Sequence, residues 1–121
     1  MDYGYIKLHR SIRSHLIFSD SIYLKFWVFL LMEVNHSDNE IIIEGDKYVI
    51  KRGSTYTSLR LLSDNLKMSR SKCKRILDFL KSETMIETQK KHRGTIITVV
   101  SYDKFQSSET QSETLMKRKR P

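Results

Sequence analysis

The chain has 121 residues, enough for one modest core that needs no disulfide or metal to hold it. Its 22 Lys and Arg against 14 Asp and Glu leave a formal charge of +8, so a polyanion is the first class of partner to weigh. The single cysteine, Cys73, excludes an internal disulfide and fits a reducing compartment.

Membrane roles are set aside on length. MDYGYIKLHR has no apolar run, so no secretory signal is expected, and the most apolar segment, Phe26 to Met32, is seven residues. Spanning a bilayer takes roughly 20. A cytoplasmic protein without a membrane partner is the expectation.

In chain order, Gly4 to Ile12 alternates Tyr5, Lys7 and His9 with Ile6, Leu8 and Arg10, the pattern of a short strand leading into a helical turn. Ser19, Asp20 and Ser21 are N-cap candidates for a helix over 21–36, apolar on most sides. Phe26, Trp27, Phe29, Leu30 and Leu31 are placed in the core. Ile41–Ile43 and Tyr48–Ile50 flank Glu44-Gly45-Asp46-Lys47, a hairpin signature, because Gly takes positive φ at little cost. Thr57 or Ser58 caps a helix over 58–66, with Leu59, Leu62 and Leu66 as its stripe and Leu61 as a possible addition. Met68 fills the turn that follows.

Ser69 opens a second helix over 69–84, on which Cys73, Ile76, Leu77 and Leu80 share one apolar arc. Cys73 on that arc reads as a small buried hydrophobe. Across from the arc lie Arg70, Ser71, Lys74, Arg75 and Lys81. Alternation resumes in strands over 86–91 and 95–101, joined by the basic loop Lys90, Lys91, His92, Arg93 and Gly94, with Gly94 at the turn. Residues 107–121 lack periodicity and are expected to form a disordered basic tail ending in Lys117–Arg120.

Helix, tight turn, helix, basic hairpin is the order of a winged helix-turn-helix, whose commonest partner is double-stranded DNA. The expected fold is therefore α+β, mostly helical with a small antiparallel hairpin wing, over residues 1–106. Between Lys67 and Arg93, nine Lys or Arg face three acids, Asp78, Glu83 and Glu87. Such clustering favours a nucleic acid, because clustered cations release condensed counterions together. Lys72 in the first turn of its helix opposes the helix dipole, a local cost that an external anion would offset. The candidate DNA-binding set is Ser69, Arg70, Ser71, Lys72, Lys74 and Arg75 on the helix, with Lys90, Lys91, His92 and Arg93 in the wing. His9, His15, His36 and His92 stand in unlike contexts, and the four glycines make no phosphate loop. Neither an enzyme nor a bound cofactor or metal is expected.

GYIKLHRSI, the aromatic helix, KRGS before TSLRLLSDNLKMSRSKCKRILDFLKSETMIE, and GTIITVVSYDKFQ together resemble the N-terminal winged-helix domain of phage replisome-organiser proteins. These are replication initiators related to the DnaD primosome family of Gram-positive bacteria. The resemblance covers Tyr3 to Gln106 and implies DNA binding in replication initiation, with self-association and a replication-protein partner. A separate C-terminal module serves helicase loading in that family. This sequence stops soon after the wing, so that recruitment is not expected of it. The alternatives are a transcriptional regulator using the same fold at an operator, and a protein-interaction module. Tyr3 to Phe18, rich in Tyr, Ile, Leu and Phe, is read either as a homodimer surface or as a cap on the core.

Overall fold

A computed structural model describes residues 4–106. The expected tail, including Lys117–Arg120, lies outside the described residues, as does Tyr3. Four helices run α1 (Ser21–Glu33), α2 (Leu59–Leu66), α3 (Arg70–Ser82) and α4 (Tyr102–Gln106) among the described residues. Five strands, β1 (Asn39–Ile43), β2 (Asp46–Ile50), β3 (Ser54–Thr57), β4 (Ile86–Lys91) and β5 (Gly94–Val99), form two antiparallel sheets. The fold is α+β. Among the described residues no helix is long and apolar enough to cross a membrane.

The strand expected near the N-terminus is absent. Residues 4–9 are assigned to no helix or strand, and 3₁₀ turns follow at Arg10–Ser14 and Leu16–Ser19. A side chain replaces the neighbouring strand. The Gln106 amide accepts from Lys7 N–H and donates to Lys7 C=O, both at 2.8 Å. Ile17 is fully buried, and Ile6 and Ile12 pack on the core, whereas Tyr5, Leu8, Leu16 and Phe18 face outward. The segment caps the core with one face and leaves the other uncovered.

Asp20 caps α1 by accepting from the N–H groups of Ile22 and Tyr23. Phe26, Trp27, Leu30 and Leu31 are buried, and Phe29 packs at the margin. The helix stops at Glu33, short of the expected residue 36, because Asn35 is committed elsewhere. Its N–H donates to Ser54 C=O, its C=O accepts from Gly53 N–H, and its amide donates to Ile50 C=O. Those bonds begin β3, a strand that the polar stretch STYT did not announce. β3 pairs with β5 in the order β3-β5-β4, running from Ser54 opposite Thr98 to Thr57 opposite Thr95.

The β1–β2 hairpin turns on Glu44 and Gly45, both at positive φ, as a type I′ turn requires. Ser58 caps α2, which buries Leu62 and Leu66 and leaves Leu61 outside. Lys67 ends α2 in the left-handed region, and Met68 packs toward the core. Ser69 then caps α3 by accepting from Lys72 N–H at 3.1 Å. The arc of Cys73, Ile76, Leu77 and Leu80 is buried as expected. α3 closes with Thr84 N–H on Lys81 C=O and Met85 N–H on Leu80 C=O, the pairing of a Schellman cap with Thr84 at positive φ. That cap ends the helix at Ser82 and turns the chain directly into β4.

Candidate nucleic-acid interface

At about 100° per residue, Arg70, Lys74 and Lys81 fall within roughly 40° of one another on α3, on the flank of the buried arc. The β4–β5 hairpin rises alongside that flank, and the first turn of α2 closes the third side. Between them lies a groove of about 660 Å³ whose rim carries Arg60, Arg70, Lys74, Lys81, Lys90 and Arg93. Leu59 and Leu77 contribute its apolar lining, and Ser58, Thr88 and Thr95 add hydroxyls. Asp78 is its sole acid among the described lining residues. Lys74 Nζ contacts both Asp78 carboxylate oxygens, at 3.0 and 3.2 Å, in an exposed i,i+4 pair.

The ten residues singled out from the sequence divide. Arg70, Lys74, Lys90 and Arg93 line the groove. Arg75 and Ser71 are exposed but sit further round α3, Arg75 one residue and about 100° beyond Lys74. The Ser69 hydroxyl is spent on the cap and lies 3.2 Å from Ser71 Oγ. Lys72 is half-buried and shares its helix face with Phe79, whose ring meets Tyr23 of α1 edge-on at 5.2 Å.

Lys91 and His92 do not line the groove; they tie the two hairpins together. His92 Nδ1 lies 3.5 Å from a Glu44 carboxylate oxygen, and Nε2 is 3.4 Å from the Tyr48 hydroxyl. Lys91 Nζ sits over the Tyr48 ring at 5.2 Å from its centroid. The positive φ of this turn falls on His92, at 55°. Gly94 is the first residue of β5, so its place at the turn is corrected. It serves close packing instead, since a Cβ there would stand 2.5 Å from Tyr56 Cζ. The Tyr56 hydroxyl in turn donates to Lys91 C=O at 3.0 Å, holding the hairpin tip to β3.

Arg60 and Lys81 were absent from the sequence-derived set. Arg60 carries the cue used for Lys72, a cation in a helix first turn that opposes the dipole. Lys81 is seven residues, about two turns, beyond Lys74 and so on its face. Thr88 shares the face of Lys90 by the strand period of two. Cys73 is fully buried on the apolar arc of α3, and burial pushes its thiol up from the ordinary value.

No family model matches the chain, and neither a curated protein nor a solved structure is detectably similar to it.

Proposed function

We propose that the chain is a winged helix-turn-helix protein that binds double-stranded DNA through the groove between α3 and the β4–β5 hairpin. The observation that carries this reading is the groove itself, in which six cations face a single acid on a concave surface. Scattered surface cations are solvated one by one, but cations converging on one concavity share a linear polyanion and release its counterions together. The Arg70–Lys74–Lys81 strip of α3 faces the major groove, while Lys90 and Arg93 of the hairpin reach the flanking phosphates. Arg60 fixes the other side. Tyr48, His92 and Glu44 hold the hairpin tip, so the second wall of the groove is set before DNA arrives.

The place of action is replication initiation in a phage or other mobile element, on the strength of the sequence resemblance. A protein-interaction role fits the groove less well, because its partner would have to be as acidic as DNA. Two chains joined through the outward face of Tyr5, Leu8, Leu16 and Phe18 would match a site with repeated halves. Selection of bound duplexes from genomic DNA tests the whole reading. An enriched site within an origin supports replication, one over a promoter assigns the chain to transcriptional regulation, and no enrichment with no duplex affinity defeats DNA binding.

A further inference from the structure

Asp78 is out of character with a groove that meets only phosphates. A carboxylate among six cations repels a phosphate backbone and lowers affinity for every sequence alike. It contributes only where it meets a donor that phosphate does not have. In the major groove those donors are the amino groups at cytosine N4 and adenine N6.

Its neighbour narrows the assignment. Lys74 Nζ lies 3.0 Å from one Asp78 oxygen and 3.2 Å from the other, one helical turn away on the groove side. An ammonium has three protons and a carboxylate about four lone-pair sites, so the paired groups keep a donor and an acceptor side by side. A base pair presents the complement. At its major-groove edge the amino group of one base hydrogen-bonds the keto oxygen of the other, an N–H···O contact of roughly 2.9–3.0 Å. The spacing of the couple therefore equals the spacing of the edge.

We propose that Lys74 and Asp78 read one base pair together: Lys74 donates to the keto oxygen, guanine O6 or thymine O4, and Asp78 accepts from the amino group opposite it. This assignment rests on the groove binding duplex DNA through α3. The couple selects orientation. With guanine or thymine beneath Lys74 both contacts form, whereas with cytosine or adenine there, ammonium faces amino group and carboxylate faces keto oxygen.

The experiment is duplex selection from a random library with the full chain, D78A, K74A and the double variant. Both side chains are more than half exposed, at 62% and 55%, so folding is retained and a thermal melt checks it. Wild type is expected to prefer guanine or thymine over cytosine or adenine at one position by roughly 5- to 150-fold. D78A loses that preference at that position alone, binds unselected duplex more tightly, and has a log–log salt slope steeper by about 0.9, because Lys74 is released to a phosphate. K74A loses the same preference, and the double variant loses no more discrimination than either single. If D78A binds all duplexes more tightly with its base preferences intact, or if the two losses add, Asp78 is a surface ion-pair partner and the couple is wrong. A wild type that binds duplex without any preference overturns the couple and leaves the groove reading standing. A wild type with no salt-dependent duplex affinity overturns both.

Discussion

The decisive perturbation is removal of Arg60 and Lys81, the two groove cations outside the sequence-derived set. Six cations and one carboxylate give the groove a net +5. If each net charge neutralises one phosphate, log affinity falls against log salt with a slope of about −4.5, or about 500-fold between roughly 50 and 200 mM salt. Arg60→Gln and Lys81→Gln should each make the slope shallower by about 0.9, and the double variant should lose only about 40-fold over the same range. Both residues are exposed, so thermal stability should move by less than about 0.5 kcal/mol. Arg75→Gln, equally exposed but outside the groove, should leave the slope near its wild-type value. Fluorescence anisotropy of a labelled duplex, titrated at several salt concentrations, reads every slope directly. An unchanged slope in the Arg60 and Lys81 variants, with a reduced one for Arg75, would refute the groove and put DNA on the outer face of α3.

Three further outcomes probe the scaffold. Gly94→Ala should cost about 1–3 kcal/mol in urea denaturation, because its Cβ would meet the Tyr56 ring and displace the hydroxyl from Lys91 C=O. Combining it with Tyr56→Ala should cost less than the two separate losses, and simple additivity would remove the steric explanation. Ser69→Ala should cost about 1 kcal/mol, the usual loss for an N-cap, and a variant as stable as wild type would show that the cap contributes nothing. Burial raises the pKa of both Cys73 and Tyr102, the latter lowered in part by Arg52 and raised further by Asp103. The unfolded chain then loses these protons first, so stability should fall as pH rises above about 8.5, first through the thiol and then, near about 10, through the phenol. Thermal melts of wild type and Cys73→Ala across that range check the sign, and the variant should keep only the later decline.

Much of the fold was legible because its elements are locally determined. The arc of Cys73, Ile76, Leu77 and Leu80, the caps at Asp20, Ser58 and Ser69, and the β1–β2 hairpin all follow from spacing within a few residues. What escaped depends on contacts distant in sequence. β3 is a strand only because Ser54 to Thr57 meet β5 some 40 residues later. The alternation in residues 4–9 is real, yet what meets the Lys7 backbone is the Gln106 side chain, 99 residues away. The end of α1 is decided in the same way, since Asn35 is claimed by Gly53 and Ser54 before helix propensity can extend it. Gly94 shows the limit from the other direction. The residue type was a sound cue, but the constraint behind it is a tyrosine ring from β3 and not a turn.

The site was half legible for a geometric reason. A helical wheel finds the face opposite the buried arc and carries no information about a neighbouring wall. Here α3 has a companion wall, and the concavity forms where helix and hairpin converge, on the flank that holds Arg70, Lys74 and Lys81. Moving from the far pole to the flank sets Arg75 apart and keeps Lys81, which the wheel had placed on the basic face but the candidate set had left out. The same shift divides the hairpin. Lys90 and Arg93 turn to the groove, while Lys91 and His92 engage Tyr48 and Glu44 of a hairpin that the sequence had already specified but could not position. Charge density pointed to the third of the chain that supplies most of the groove's cations. Assigning each cation a task required knowing which second surface it faced, and that surface is set by the β3–β5 pairing and the Tyr56–Lys91 bond, neither of which leaves a local pattern.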